Sequence, residues 1–142
     1  MLILPFPTPN FRIKEENNKE FIFDEIRKIW VRLTPEEWVR QNFIQYLIQT
    51  KKYPSSLLSV EKEITLGDLK KRYDIVVYKN SIPWLLVECK EMNVTLSEQT
   101  ASQILAYQLV LQVAYLIITN GLQTFCFDTN ANQFISFIPE YA

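Results

Sequence analysis

Histidine is absent from this chain. That removes Ser-His-Asp triads, Cys-His dyads, histidine-ligated zinc and histidine-metal nucleases. Any acid–base chemistry falls to carboxylates, lysine, tyrosine or cysteine. Cysteine is scarce too. Cys89 and Cys126 lie far apart with no CxxC partner, and each reads as a buried reduced thiol. With two glycines in 142 residues and no repeat or low-complexity run, the chain offers no interdomain linker, so a single domain is expected over 1–142. Neither sign of charge dominates. Lys+Arg is 15 against Asp+Glu 16, so nucleic acid would have to be met by a local patch or a partner chain, not by an overall basic field. No apolar run reaches the length of a membrane span. The start, Met1 to Pro7, is proline-broken and lacks a basic region, unlike a signal peptide. No membrane partner and a cytoplasmic location are the expectations.

The apolar periodicity predicts an N-terminal β extension over 1–33, a core over 34–128 and a C-terminal strand within 129–142. Phe11–Glu16 and Glu20–Phe23 flank Asn17-Asn18-Lys19 as a hairpin, with Ile26–Leu33 a further strand candidate. Thr34-Pro35-Glu36-Glu37 is a helix start, with Thr34 as cap, Pro35 in the first turn and Glu37 closing a capping box. That helix is expected to run to about Lys51 on an apolar stripe of Val39, Phe43, Tyr46 and Leu47. Strands follow at Leu58–Thr65, Arg72–Tyr78 and Trp84–Lys90. A second helix is expected from about Leu96 to Gln112, capped by Thr95 with Glu98. Strands at Tyr115–Thr119, Leu122–Asp128 and Phe134–Ile138 close the chain. The fold class is α/β (α+β): a mixed sheet flanked by helices, in core order α-β-β-β-α-β, with extra strands at both ends.

The chemistry concentrates on the strands at 72–78 and 84–90. Both are apolar on both faces, so charges within them need a reason. Side-chain alternation puts Asp74, Val76 and Tyr78 on one face, and Trp84, Leu86, Glu88 and Lys90 on one face of the next strand. A hairpin centred on Ser81 sets Asp74 opposite Glu88. Two facing carboxylates repel unless a cation lies between them, and a hard divalent ion such as Mg²⁺ suits oxygen ligands. Lys90 would then orient or deprotonate a water, or neutralise a phosphate. The competing reading is a buried ion network in which Lys90 only balances Asp74 and Glu88.

Other residues can serve the same site. Glu36 falls near the middle of the first helix's apolar stripe and can point inward as a further metal ligand; the alternative is an acid stabilised by the helix start. Arg40 lies near that face, within reach of a carboxylate or phosphate. Gln103 and Tyr107 are i,i+4 neighbours on the second helix that can brace the site or meet a nucleotide, or merely pack at the core edge. Lys70, Lys71 and Arg72 form either a phosphate contact or a solvated basic turn.

Four segments together resemble a known nuclease domain. They are Thr34-Pro35-Glu36-Glu37-Trp38-Val39-Arg40-Gln41, Lys71-Arg72-Tyr73-Asp74-Ile75-Val76-Val77-Tyr78, Leu86-Val87-Glu88-Cys89-Lys90, and Tyr115-Leu116-Ile117-Ile118-Thr119-Asn120-Gly121. Over roughly Arg27 to Asp128 the chain is similar to the N-terminal domain of type I restriction enzyme R proteins, in its small stand-alone form. The resemblance implies a restriction-endonuclease-like PD-(D/E)xK core, with Asp74 and Glu88 holding Mg²⁺ (Mn²⁺ able to substitute) and Lys90 the catalytic lysine. Gln103 and Tyr107 look like the QxxxY motif of RecB-like nucleases. Tyr73 stands where the signature proline would be, and Glu91 adds a negative charge. The expected function is a Mg²⁺-dependent endonuclease acting on DNA, related to restriction-modification, alone, as a homodimer or with a partner chain. The alternative is a non-catalytic nucleic-acid-binding or complex-assembly module that keeps the nuclease fold.

Overall fold

Asn17 and Asn18 both take left-handed backbone conformations, with φ of 55° and 63°. Asparagine tolerates this geometry, and a two-residue hairpin turn requires it. The turn joins β1 (Ile13–Glu16) to β2 (Lys19–Asp24), and β3 (Ile29–Arg32) completes a three-stranded antiparallel sheet. The computed structural model describes residues 1–8 and 10–141, with the side chains of residues 66, 107, 109 and 110 outside the description.

Thr34 starts α1 (Pro35–Gln45), its Oγ1 accepting the Glu37 N–H at 3.1 Å. Tyr46–Thr50 continues as one π-helical turn, so the α conformation ends earlier than the sequence predicts. Val39, Phe43, Tyr46 and Leu47 are buried as expected. Then come β4 (Leu58–Leu66), β5 (Leu69–Lys79) and β6 (Ile82–Cys89), each within a few residues of the predicted strands. Next, α2 (Glu98–Leu105) tightens into a 3₁₀ segment at Ala106–Leu111 instead of running helical to Gln112. Its cap is Ser97, not Thr95: Ser97 Oγ accepts from Thr100 N at 3.2 Å, and Thr100 Oγ1 accepts from Ser97 N at 2.7 Å. The shift follows from burial. Leu96, just ahead of the cap, shares a core with Ala101 one turn inside, an apolar clasp that fixes the helix entry. The chain ends through β7 (Tyr115–Thr119), β8 (Thr124–Asp128) and β9 (Gln133–Ile135).

The main sheet has the order β4-β5-β6-β7-β8-β9. All neighbours are antiparallel except β6 and β7, which α2 separates in sequence and so leaves parallel. The core order is therefore α-β-β-β-α-β in a mixed sheet. Each face has its own core. Ile75, Val77, Leu85 and Val87 meet Val39 and Phe43 of α1 and Leu47 of the π-helical turn, while Val76, Leu86, Leu116 and Ile118 meet Ala101 and Leu105 of α2. Cys89 and Cys126 are free and buried in the α1-side core. Among the described residues no helix is long and apolar enough to cross a membrane.

Two irregularities break the predicted alternation. The β5–β6 turn is Asn80-Ser81, both left-handed, at φ 54° and 63°. Val77 pairs with Leu85 but Tyr78 with Pro83, so Trp84 is an extra residue. That bulge sends Trp84 to the α1 side, where it packs with Tyr53, Tyr115 and Tyr141, and not onto the Leu86–Glu88 face. It also moves the inner register back to Ile75↔Val87, the register that sets Asp74 opposite Glu88. The second break lies at Asp74. Tyr73 packs in the same core as Val76, although Ile75 between them packs in the other, so β5 changes side at Asp74. Across the β4–β5 ladder, Lys62↔Tyr73 and Val60↔Ile75 are paired, and Glu61, facing Asp74, is left-handed at φ 53°. A non-glycine residue in that region costs on the order of 1–3 kcal/mol and is held there by its surroundings.

Candidate functional site

The β5–β6 ladder stops at Ile75↔Val87, although β5 begins at Leu69 and β6 runs on to Cys89. Beyond that point β6 stays with β7 through Glu88↔Ile118 and Cys89↔Thr119, while β5 stays with β4. The sheet forks there. Asp74 and Glu88 are the first residues past the split, one on each prong.

The kink at Asp74 turns its carboxylate toward α1. Arg40 Nη1 donates to Oδ1 at 3.1 Å and the Cys89 N–H to Oδ2 at 2.7 Å. Glu88 faces the other side, where Lys71 Nζ forms a close ion pair with it and Gln108 Nε2 donates to Oε1 at 3.3 Å. The two carboxylates thus flank the fork and do not share one flat face as alternation predicts. Both remain partly open, with side chains 18% and 12% exposed. Burial pushes the Asp74 carboxyl up to about 6; the Cys89 N–H and Arg40 hold it down, and Glu88 and Glu36 push it up. Burial, then Glu88, likewise raises the Tyr73 phenol to about 12. Cys89, wholly enclosed, is raised well above the ordinary thiol by burial. It is an inert thiol whose useful group here is its backbone N–H.

Behind Asp74 lies a chain of ion pairs. Arg40 Nε and Nη2 reach Glu37 at 3.0 and 2.5 Å, and its Nη2 reaches Glu61 at 3.3 Å. Burial opposes the Arg40 charge, but Glu37, Asp74 and Glu61 outweigh it and raise its pKa. Glu37 also accepts from Gln41 Nε2 at 2.9 Å and lies 3.5 Å from Arg27 Nη2. Gln41 and Arg27 both bind Asp24, which is fully enclosed at the end of β2. The N-terminal extension is thereby tied to Asp74 through Asp24, Arg27, Glu37 and Arg40.

This network corrects the reading of α1. Glu37 does not close a capping box; its carboxylate is buried against Arg40 and Gln41. Glu36 is exposed at the helix start rather than turned inward. The reason is that the N-terminal sheet covers the Glu37–Gln41 flank of α1, so its buried arc is wider than its apolar stripe. The spacing Glu37, Arg40, Gln41, at i,i+3 and i,i+4, was the available signal. Glu61 had none, because its role depends on a local kink. Lys70, Lys71 and Arg72 lie in β5, not in a turn. Lys71 faces Glu88, while Lys70 sits 3.6 Å from Glu63 on an exposed stretch. Gln103 is exposed, and the Tyr107 side chain lies outside the described residues. The glutamine that reaches the site is Gln108. Lys90 follows β6 directly, anchored by its N–H to Thr119 O at 2.8 Å. Among the described residues its ammonium has no ion-pair partner.

Among the described residues no three carboxylates or thiols gather as a preassembled metal cage. The donor set suits Mg²⁺ nonetheless, because that ion takes one or two carboxylates and fills its other positions with water and phosphate. The Asp74 carboxyl is raised to about 6, burial outweighing the Cys89 N–H and Arg40. Among the described residues, Gln108 Oε1 and the Tyr73 hydroxyl, both on the Glu88 side, are buried without a hydrogen-bond partner. Such orphan groups mark a place for water or an ion.

A family model described as the type I restriction enzyme R protein N terminus matches residues 35–140. No curated protein matches the chain. Among solved structures, a crystal structure described as a "putative nuclease belonging to DUF820", from Anabaena variabilis, aligns with TM-score 0.43 and 12% identity, covering 81% of this chain and 80% of its own.

Proposed function

Because the chain belongs to the family of type I restriction enzyme R protein N-terminal domains, we propose that this nuclease-like domain is a Mg²⁺-dependent endonuclease acting on DNA, with Mn²⁺ able to substitute. The fork between β5 and β6 carries this reading: it opens where Asp74 and Glu88 stand, and Asp74 there is raised to about 6 by burial, with two carboxylates near it. Asp74 and Glu88 would hold the ion, which supplies positive charge to the phosphodiester and its leaving oxygen. Arg40 and the Cys89 N–H fix the Asp74 carboxylate. Lys90, whose ammonium has no ion-pair partner among the described residues, stands two residues beyond Glu88, and would align the attacking water or, as the neutral amine, take its proton. Lys71 covers Glu88; released from it, the ammonium would meet a phosphate, with Lys70 and Arg72 further along the strand. Glu36, at the mouth and within Coulomb reach of Asp74, is outside the proposed ligand set. The test is cleavage of a panel of single- and double-stranded DNA and RNA in Mg²⁺ or Mn²⁺, beside Asp74→Ala. Metal-dependent cleavage that Asp74→Ala abolishes is the expected result.

One observation favours a second reading. Asp74 is paired with Arg40 and Glu88 with Lys71. Carboxylates already balanced by cations of the same chain suit a non-catalytic nucleic-acid-binding or assembly module. Absence of cleavage, with Mn²⁺ binding also absent by calorimetry, would select that reading.

A further inference from the structure

Cross-strand pairing in the N-terminal sheet aligns two rows of side chains on one face. Arg12, Phe23 and Trp30 form the first, and Lys14, Phe21 and Arg32 the second. The opposite face is the attached one, because Ile22 is fully buried and Asp24 binds Gln41 of α1. The outward face therefore carries aromatics framed by cations. The Arg12 guanidinium lies 4.5 Å from the Phe23 ring centre and 5.4 Å from that of Trp30, and Lys14 Nζ lies 4.5 Å from Trp30. Phe23 and Trp30 meet edge to face at 5.4 Å, and both are half-buried, so part of each ring reaches solvent. Lys19 adds a fourth cation, against the single carboxylate of Glu16, which Lys14 already engages at 3.2 Å. The face thus carries a local positive excess in a chain of net charge −1.

We propose that this face binds single-stranded nucleic acid. Cations at the spacing of adjacent strands suit successive phosphates, and rings exposed between them suit unpaired bases, which stack on aromatic side chains whatever their sequence. A duplex hides its base faces and could use only the charges. The same sheet is fixed to the fork, since Arg27 of its β2–β3 connection reaches Asp24, Glu37 and Glu61. A strand held on the face is thus presented by an element that also braces Asp74. The choice of nucleic acid as the polyanion rests on the nuclease reading; the surface itself does not.

The experiment is fluorescence anisotropy of labelled oligo-dT and of a blunt duplex, in EDTA so that neither metal nor cleavage enters, over a salt series. The triple variant Arg12→Ala/Lys14→Ala/Arg32→Ala alters exposed side chains and is expected to stay folded by circular dichroism. Its salt slope should fall by about two, since each phosphate contact with a single strand contributes about 0.7. Trp30→Leu should weaken oligo-dT binding by about 5- to 150-fold, the range of one lost stacking contact. Unchanged oligo-dT binding in both variants overturns the proposal, as does a wild type that binds the duplex as tightly as the single strand. Mg²⁺-dependent cleavage with unaltered binding in the variants would reject the sheet surface and keep the nuclease. Variant-sensitive binding without cleavage by the wild type would reject the nuclease and keep the surface.

Discussion

Asp24 and Asp74 stand at the two ends of one ion-pair chain, each bonded to an arginine, yet they carry opposite shifts. Burial raises both. At Asp24 the Arg27 backbone and side chain, with Gln41, outweigh burial, and the carboxyl lies below its usual value. The donors are close: the N–H groups of Ile26 and Arg27 at 2.8 Å, Arg27 Nε at 2.7 Å and Gln41 Nε2 at 3.0 Å. Among the described residues Asp74 has two donors, with two carboxylates nearby, so burial wins and its pKa rises to about 6. The contrast separates a carboxylate whose burial is offset by its donors from one whose burial is not. An ion pair alone does not make that distinction; the count of donors against like charges does.

The largest expected effect breaks the comparison on function. Asp74→Asn should lower cleavage by about 10²- to 10⁴-fold and remove Mn²⁺ binding, with the fold intact. Asp24→Asn should leave Mn²⁺ affinity near that of the wild type. Calorimetric titration of both variants checks this; Mn²⁺ binding retained by Asp74→Asn would remove Asp74 from the ligand set. Lys90→Ala should keep Mn²⁺ binding and lose most cleavage, and wild-type turnover in that variant would leave Lys90 a structural role only.

On stability the order reverses. Asp24→Ala leaves Arg27 and Gln41 without their buried partner and should cost about 3–5 kcal/mol, read by urea unfolding. A loss below about 1 kcal/mol would show that the knot holds nothing.

The pH dependences should differ in sign. With its folded pKa near 6 against an ordinary 3.8, Asp74 adds stability that is fully present below pH 3.8 and disappears as pH rises through 6. Asp24, lowered, adds stability present above the ordinary value and lost as pH falls through its folded value. Asp74→Asn should therefore be more stable than the metal-free wild type above pH 6, by on the order of 1–2 kcal/mol after allowance for solvent screening. Unfolding midpoints from pH 4 to 8 for both proteins test this, and parallel curves would refute it.

The smallest effect concerns Lys70. Its exposed pair with Glu63 at 3.6 Å should be worth under about 0.5 kcal/mol, so Lys70→Ala should barely change the urea midpoint. Lys71→Ala, which uncovers Glu88, should by contrast sharpen the Mn²⁺ titration.

Local patterns determined the elements. The Thr34-Pro35 start, the apolar stripe of Val39, Phe43 and Leu47, and the three strands around Gly67 and Asn80-Ser81 follow from capping, periodicity and turn chemistry, which neighbouring residues set among themselves. The same patterns singled out Asp74, Glu88 and Lys90 as charges in otherwise apolar strands. What lay beyond them depends on residues far apart in sequence. No local rule shows that the N-terminal sheet covers one flank of α1, so Glu37 and not Glu36 is buried, and Arg27 and Asp24 join the network. Nor does alternation foresee a bulge at Trp84 or the kink at Asp74 and Glu61, because each arises where strands compete for register. A helix or strand is written in its own residues. The counting of donors around a buried carboxylate, and the point at which two strands part, are decided only when the whole sheet is packed.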